Sequence, residues 1–332
     1  MSRAGAPAPA LSAADVAVVI PSGPGWQRAA VLTRTLEGLA SQSVSGFEVI
    51  VVVDDAATPP PPLAGRAGLR VVARSHSGPG PRRNAGARAS DRTIVLMLGD
   101  DTIPARDCVE RHVATHNAHP DPVVAVLGRV DWHPETARGR IQRWLEWSGT
   151  QFDYDTIAGD DAGWGRFYAS NLSIKRAFLL DVGGFDEDFS FGYEDTELGL
   201  RLHHKGMRLR YEPAARALHH HRYTLDALRR RFRLVGEGEY LMTRKHPEFS
   251  PYFLERIRAR RRAPAWAPWP WLVDLVPRRG PAHGGTVARL RRALEVRADS
   301  WYFARVEDAF RAGWADAAAR LDTAGAPAGR RR

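Results

Sequence analysis

The chain has 332 residues, 44% of them apolar, which is enough for one α/β domain of about 200 to 250 residues and an appendage. This composition excludes a chain that is disordered throughout. The single cysteine, Cys108, excludes an internal disulfide and a zinc site built from cysteines, and we interpret it as a partly buried structural residue of a helix. The net charge of +10 calls for an anionic partner or location, either nucleic acid or an anionic membrane surface.

Charge alone would have to support nucleic-acid binding, because the sequence has no helix-turn-helix, zinc-finger or aromatic RNP signature. No nucleic-acid partner is therefore expected. The sequence has no unbroken apolar run of about 18 residues, and MSRAGAPAPALSAA at residues 1–14 lacks the apolar core of a signal peptide. We predict a cytoplasmic protein with a disordered lead over residues 1–14.

Apolar runs that alternate with helical stretches from residue 16 onward predict a mostly parallel sheet buried on both faces. The repeated strand–helix–strand order favours right-handed crossovers and a doubly wound α/β fold. Strands are predicted over 16–20, 47–53, 69–73, 93–98 and 123–130, with helices over 28–41 and 82–90 and after Pro104.

Beyond residue 130 aromatic residues are frequent, and the regular pattern returns near residue 167. We predict strands over 167–174, 207–211 and 216–219, helices over 175–182, 194–206 and 224–246, and an irregular chain from there to residue 287. The predicted domains are residues 15–246, which contain the sheet, and residues 247–332, a basic Trp/Arg-rich helical extension.

The start of that extension combines cations with tryptophans. Such a mixture suits the lipid headgroup layer, and the alternative is a solvated basic face whose tryptophans pack on the main domain. The residues concerned are Arg256, Arg258, Arg260, Arg261, Arg262, Trp266, Trp269 and Trp271.

Acidic residues follow two of the predicted strands. Asp54 and Asp55 come after the second strand, and Asp100 and Asp101 follow Gly99 after the fourth. Ligands of open parallel sheets collect at the carboxyl ends of the strands, and paired carboxylates there suit a hard divalent cation bound to a diphosphate. An Asp-rich turn without a ligand is the alternative.

Eight segments in order resemble family 2 glycosyltransferases over about residues 16 to 246. They are VAVVIPSGP, a helix closing in LASQS, FEVIVVVDD, GPGPRRNAG, VLMLGDDTIP, GGFDEDF, YEDTELGLRL and ALHHH. The resemblance implies a GT-A fold, which is a Rossmann-like mostly parallel sheet flanked by helices. It also implies an inverting transfer of a sugar from a nucleoside diphosphate, most commonly UDP, to an acceptor hydroxyl of a saccharide, glycan or glycoconjugate.

The resemblance also implies a donor site. Asp55 matches the residue that binds the base of the donor nucleotide, and Pro21 and Ser22 line the same pocket. Arg83 matches an arginine that faces the base or the phosphates, and Asp100 lies nearer the ribose.

For the metal, Mn²⁺ or Mg²⁺, the resemblance implies Asp101 as a ligand, although Gly99 stands where the first Asp of a DXD motif often is. A histidine often completes this metal shell. Strand alternation puts His219 and His221 on one face, so we favour His219 first and His221 second. Imidazole beside carboxylate would favour Mn²⁺, and a solvated histidine cluster is the alternative.

The Glu194–Asp195 pair resembles the motif whose aspartate is the catalytic base. A base is needed because an acceptor hydroxyl must lose its proton as it attacks the anomeric carbon. The alternative is a helix N-terminal acid with a capping role only.

Aromatic residues should border the acceptor cleft, because flat faces suit sugar rings or an apolar aglycone. Trp164 and Tyr168 are the candidates, although any aromatic residue of this region could equally belong to the core; the others are Trp144, Trp147 and Phe167.

Two competing functions remain open. A nucleotidyltransferase that forms nucleotide sugars would share the sheet and the metal, but it typically has a basic, Gly-rich loop after the first strand, where PSGPGWQRAA has one basic residue. A non-catalytic sugar-nucleotide or membrane-binding module would have no need of a base such as Asp195.

Overall fold

The computed structural model describes residues 9–23, 27–54, 68–74, 78–260, 268–276 and 285–325. Asp55, the proline run at 59–62 and Trp266 lie outside these ranges. The chain divides into two compact units. The first comprises the described residues of 1–135, 154–188 and 194–221, and the second those of 136–153, 189–193 and 222–332. The predicted division into residues 15–246 and 247–332 stays a prediction.

The first unit is built on one sheet, which has eight strands within the described part of the chain. The strands are β1 (Val16–Pro21), β2 (Glu48–Val53), β3 (Leu69–Ala73), β4 (Ile94–Leu98), β5 (Thr102–Pro104), β6 (Val124–Trp132), β7 (Asn171–Lys175) and β8 (Arg208–His219). Their order across the sheet is β3-β2-β1-β4-β7-β6-β8-β5.

Four neighbouring pairs in this sheet are parallel: β3 with β2, β2 with β1, β1 with β4, and β6 with β8. The prediction of a mostly parallel sheet is confirmed. Strand β7 is the exception in the middle, because it runs antiparallel to both β4 and β6. The start of β7 therefore lies beside the end of β4, where Asp100 and Asp101 follow.

Helices of this unit are α1 (Ala29–Ala40), α2 (Pro79–Arg88), α3 (Cys108–Ala118), α5 (Arg176–Asp181) and α6 (Glu194–His204), and α4 (Arg140–Trp147) belongs to the second unit. Helix α1 buries Leu32, Leu36 and Leu39 against the sheet, at the spacing of one helical face. Each such leucine contributes about 1.5 to 3 kcal/mol of burial free energy.

Helix α2 begins at Pro79, three residues earlier than the predicted start at residue 82. Prolines usually signal a loop, but a proline in the first helical turn costs nothing because its missing N–H would have no partner there. The same helix packs closely on β1. A Cβ on Gly86 would lie 2.4 Å from Val19 Cγ1, so only glycine permits this approach.

The two strands predicted over 207–211 and 216–219 form one strand, β8, with an irregularity between them. Gly128 pairs with Glu212 and Arg129 with Arg216, so residues 213–215 bulge out of register. The Asn171 side chain compensates, because its Nδ2 donates to the carbonyl oxygens of Ala215 (2.8 Å) and Arg129 (3.3 Å).

A buried polar chain connects β7 to α3. Lys175 Nζ can only donate, so its contact with His116 Nδ1 (3.3 Å) makes that nitrogen an acceptor. His116 Nε2 then donates to Ser173 Oγ (2.9 Å), Ser173 donates to His112 Nδ1 (2.8 Å), and His112 Nε2 donates to Asn171 Oδ1 (3.0 Å). Both imidazoles are therefore neutral in the folded chain.

Cys108 lies at the end of this chain and is fully buried, 3.5 Å from Asn171 Oδ1. Burial raises the pKa of its thiol to about 12. Cys108 was expected to be partly buried in a helix; it lies in α3 and is fully buried, and its structural role stays an interpretation.

The second unit is helical. It consists of α4 with α7 (Leu225–Lys245), α8 (Tyr252–Ala259), α9 (Trp269–Leu275) and α10 (Gly285–Gly325). Fully buried Trp144 stacks on Tyr302 and meets Phe303 edge-on. The prediction of an irregular chain up to residue 287 is wrong, since α8 and α9 lie there. Helices of seven or eight residues contain too few turns to produce a clear period.

Helices α7 and α10 approach each other through glycine. A Cβ on Gly236 would lie 2.1 Å from the Phe310 carbonyl oxygen, and one on Gly313 would lie 1.9 Å from that of Arg233. The C-terminal helical region of the predicted fold is thereby confirmed. Among the described residues, no helix combines the length and the apolar character needed to cross a membrane.

The neutral histidine pair predicts a loss of stability in mild acid. Burial lowers the pKa of His112 to about 4 and that of His116 to about 3, from 6.5. The folded state therefore binds fewer protons than the unfolded state below pH 6.5, and stability falls as the pH falls through that window. We expect each histidine to cost about 2 kcal/mol at pH 5 relative to pH 8.

Urea unfolding of the wild type and of the H112Q/H116Q variant between pH 5 and 8 measures this effect. The variant starts less stable but shows a flatter pH dependence. An equally steep loss in both proteins would contradict the assignment to these two histidines.

Candidate active site

Asp100 and Asp101 follow β4, and both are buried. Thr35 of α1 donates its hydroxyl to the Asp100 carbonyl oxygen (3.0 Å), and Ser22, after β1, donates to Asp100 Oδ2 (3.3 Å). Burial, followed by repulsion from Asp101, raises the pKa of the Asp100 carboxyl. As predicted from the sequence, two carboxylates follow this strand. Because they are buried and close together, they need nearby cations.

Two histidines at the end of β8 contact the Asp101 carboxylate. His219 Nε2 lies 3.1 Å from Asp101 Oδ1, and His221 Nδ1 lies 3.3 Å from Asp101 Oδ2. The two imidazole rings are nearly parallel, with centroids 5.6 Å apart. The pairing of β5 with β8 causes this proximity, because it sets Thr102 opposite His219.

The spacing of these atoms suits a divalent cation. Donor atoms in neighbouring positions of an octahedral site lie about 3.0 Å apart, because each is about 2.1 Å from the ion. The two nitrogen–oxygen distances are close to that value, and the three donor groups all lie within 4.8 Å of one another. One carboxylate and two imidazoles form a set that Mn²⁺ accepts more readily than Mg²⁺.

Several charges act on Asp101 at once. Burial alone would raise the pKa of its carboxyl, but His219, His221 and Arg28 together lower it well below its ordinary value. The carboxylate is therefore ionised at neutral pH, as a metal ligand must be.

His220 points to the other side of the strand from its two neighbours. Its Nε2 lies 3.0 Å from Glu135 Oε2, and Arg34 Nη1 lies 3.0 Å from both of these atoms. With His133 nearby this is a second group of possible ligands, but the Arg34 guanidinium already contacts two of its three members.

Arg28, the residue before α1, was not among the residues expected from the sequence. Its Nε donates to Asp100 Oδ2 (2.7 Å) and its Nη2 donates to Asp101 Oδ2 (2.5 Å). Burial would lower the pKa of Arg28, but the two aspartates raise it above its ordinary value. Nothing in the sequence pattern around Arg28 marks it as a partner of the two aspartates.

A second cluster surrounds the start of α6. Arg83 Nη1 donates to Asp195 Oδ1 (3.0 Å) and Glu194 Oε1 (3.3 Å), and Arg83 Nη2 donates to the Ala169 carbonyl oxygen (3.3 Å). The backbone N–H of Ala169 donates to Asp195 Oδ2 (3.0 Å). Arg83, expected beside the donor base or phosphates, thus pairs with the two expected catalytic acids.

Residues 169–170 connect the two clusters. Leu98 at the end of β4 pairs with Asn171 at the start of β7, and the Gly99 N–H donates to the Ser170 carbonyl oxygen (3.4 Å). Ala169, the next residue back, holds Asp195. The end of β4 and the start of α6 are therefore neighbours at one edge of the sheet.

The remaining expected donor residues lie at the ends of β1 and β2. Pro21 is buried at the end of β1, and the Ser22 N–H donates to the Val52 carbonyl oxygen (2.9 Å). Asp55 lies outside the described residues. Its neighbour Asp54 is buried and accepts from Arg82 Nε (2.9 Å), an ion pair that closes the end of β2.

The two expected acceptor residues are placed differently. Tyr168 directly precedes Ala169, which binds Asp195, whereas Trp164 stacks on His203, with ring centroids 6.4 Å apart. His203 follows Asp195 by eight residues, which is about 12 Å along α6. Phe167 between them is fully buried in the core.

Comparison with known proteins agrees with this architecture. Residues 13–236 match the family described as "Glycosyltransferase like family 2", which covers more than half of the chain. The chain belongs to this family, and the resemblance predicted from the eight segments is confirmed.

Two curated relatives are both glycosyltransferases. The validoxylamine A glucosyltransferase of Streptomyces hygroscopicus subsp. jinggangensis is 30% identical over 226 residues, which are 58% of this chain and 52% of that protein. The pre-mycofactocin glycosyltransferase of Mycobacterium tuberculosis is 30% identical over 193 residues, 54% of this chain and 38% of that protein. The chain thus spans about half or less of the length of these relatives.

Among solved structures, a mannosyltransferase from Pyrobaculum calidifontis in complex with GDP-Man and Mn²⁺ resembles this chain with a TM-score of 0.50. The two are 19% identical, and the match covers 93% of this chain and 79% of the other. The likeness shows that the fold is shared, which confirms the predicted GT-A architecture.

Proposed function

We propose that this chain is a metal-dependent inverting glycosyltransferase that moves a sugar from a nucleoside diphosphate to an acceptor hydroxyl. One observation carries the proposal. Side chains that could bind a metal, at the ends of β4 and β8, and a carboxylate at the start of α6 are joined through residues 169–170. Nucleotide binding alone would need no such carboxylate.

The donor would bind along the ends of β1, β2 and β4. Pro21, Ser22 and Asp55 would hold the nucleoside, Asp100 the ribose, and Arg83 the side facing the phosphates. We infer a UDP-sugar as the donor, on the family resemblance. The metal ligands would be Asp101, His219 and His221, and a cation bound there, Mn²⁺ or Mg²⁺, would offset the charge of the departing diphosphate.

Asp195 is the better candidate for the base than Glu194, because its side chain is more accessible to an acceptor. The Asp195 side chain is 25% exposed, whereas that of Glu194 is 6% exposed. Arg83 and the Ala169 N–H each occupy one Asp195 oxygen and so fix the orientation of the carboxylate. Glu194 would position Arg83, and Asp195 would accept the proton of the acceptor hydroxyl.

A single displacement then inverts the anomeric carbon, because the acceptor oxygen must attack from the side opposite the diphosphate. The acceptor would be a hydroxyl of a saccharide, glycan or glycoconjugate. Tyr168, next to Ala169, would lie nearer the reacting atoms, and Trp164 would contact a more distant part of an extended acceptor.

A panel of nucleoside diphosphate sugars with Mn²⁺, or with EDTA, tests this function without a known acceptor. We expect one donor to raise the melting temperature and to release nucleoside diphosphate slowly, with water as the acceptor, only when the metal is present. No response to any donor with metal present would contradict the proposal.

Variants at the start of α6 distinguish loss of the catalytic base from loss of donor binding. Asp195→Asn should keep the donor-induced rise in melting temperature but lose about 10²- to 10⁴-fold in release rate. Glu194→Gln should lose less of the release rate. Asp308→Asn, at an exposed position of α10, is the charge-matched control. Normal turnover in Asp195→Asn would show that another residue is the base.

We further propose that the second unit contacts anionic lipid at the cytoplasmic face of a membrane. Large apolar side chains are exposed on α9 and α10, with Leu275 at 77% and others at about half: Trp271, Leu290 and Val296. Arginines lie among them, since Arg140 stacks on Trp271 and Arg297 on Trp269. Arginine and tryptophan together match the charge and polarity of anionic headgroups.

Sedimentation with phosphatidylcholine vesicles, with and without phosphatidylglycerol, measures this contact. We expect binding only to the anionic vesicles, reduced by salt and by the W271A/L275A change. Equal binding to neutral vesicles, or none to either kind, would contradict lipid recognition by this surface.

A further inference from the structure

Arg28 is the cation that touches both aspartates after β4. Its guanidinium bridges Asp100 Oδ2 (2.7 Å) and Asp101 Oδ2 (2.5 Å), while both carboxylates are otherwise buried. Two adjacent buried carboxylates repel each other, and a shared guanidinium offsets that repulsion. Arg28 thus holds the aspartates together as they stand in this structure.

The same contact competes with a metal ion. Asp101 Oδ2 is shared by Arg28 Nη2 at 2.5 Å and by His221 Nδ1 at 3.3 Å. A divalent cation on this oxygen would lie about 2.1 Å from it, so it would repel the guanidinium at close range. The guanidinium and an ion bound between Asp101 Oδ2 and His221 therefore compete for the same oxygen.

Arg28 can leave without disturbing the backbone. Its carbonyl oxygen accepts from the N–H groups of Val31 (3.1 Å) and Leu32 (2.9 Å), which fix the main chain in the first turn of α1. Its side chain is 33% exposed, whereas those of Arg82 and Arg83 are 9% and 8% exposed in their ion pairs. Of these three arginines, Arg28 has the most exposed side chain, so it can exchange its ion pairs for other partners with the least rearrangement around it.

Once displaced from the aspartates, the Arg28 guanidinium could bind the diphosphate of the donor. The proposed donor carries a diphosphate, which needs positive charge besides that of the metal. Arginine binds phosphate oxygens through two parallel hydrogen bonds, and the N-terminus of α1 adds a favourable potential.

Resting on the proposed function, we propose that Arg28 is an exchangeable counter-ion. It neutralises Asp100 and Asp101 before the metal binds, is displaced by the metal, and then binds the diphosphate of the donor. Arg28 is thereby a diphosphate-binding residue that also sets the affinity of the empty site for metal.

Binding of Mn²⁺ alone, followed by the spin resonance of free Mn²⁺, tests the first half of this inference. Arg28→Gln should bind Mn²⁺ about 5- to 30-fold more tightly than the wild type, since it removes a competing charge worth about 1 to 2 kcal/mol. Arg28→Lys, which keeps the charge but cannot bridge, should fall between. Arg111→Gln, which removes an exposed arginine paired with Asp107, is the matched control and should stay within about twofold.

Inorganic pyrophosphate tests the second half. With Mn²⁺ saturating, Arg28→Gln should bind pyrophosphate at least about 5-fold more weakly than the wild type, and Arg111→Gln should not. Thermal unfolding provides a folding check, because Arg28→Gln should melt lower than the wild type in EDTA and recover with Mn²⁺.

The outcomes separate this inference from the proposed function. Equal Mn²⁺ affinity in wild type and Arg28→Gln would overturn the exchange while leaving the metal site intact. Tighter Mn²⁺ binding with unchanged pyrophosphate binding would overturn the diphosphate role. No Mn²⁺ binding to the wild type would refute the metal site itself, and the inference with it.

Discussion

Two adjacent carboxylates, Asp100 and Asp101, have to stay charged beneath the surface, and much of the first unit serves that requirement. Their partners arrive from three different elements: Arg28 from the start of α1, His219 and His221 from the end of β8, and Ser22 from the end of β1. Because buried charge is tolerated only when it is paired, these elements must meet at one point. The sheet order brings them there.

The antiparallel strand β7 joins this charge cluster to the second one. It reverses the chain beside β4, so residues 169–170 lie between the end of β4 and the start of α6. Buried hydrogen bonds stabilise β7 in this orientation: the series of polar side chains from Lys175 to Asn171, and the contacts of Asn171 with the bulge. A purely apolar β7 would remove the side-chain donor from the Ala215 carbonyl of β8 and the Arg129 carbonyl of β6. Packing and chemistry thus depend on the same strand.

Sequence patterns were most informative where one period dominated. Buried strands such as β1 and β4 were predicted within a residue or two, and two-residue alternation anticipated His219 and His221 on one side with His220 on the other. Contacts between side chains that are far apart in the sequence were harder to predict. Arg28 meets residues more than 70 positions away, and Arg83 pairs with Asp195 of α6, 112 positions later in the chain. No local period encodes such contacts, because they depend on the sheet order.

The central claim is that Asp101, His219 and His221 together bind one divalent cation at this edge. Electron spin echo measurements on the Mn²⁺-loaded protein detect nitrogen bound to the ion directly. The account predicts coupling to two imidazole nitrogens, reduced to one in His219→Gln and in His221→Gln, and absent in the double variant. A signal from oxygen ligands alone, or nitrogen coupling that survives in the double variant, would contradict it.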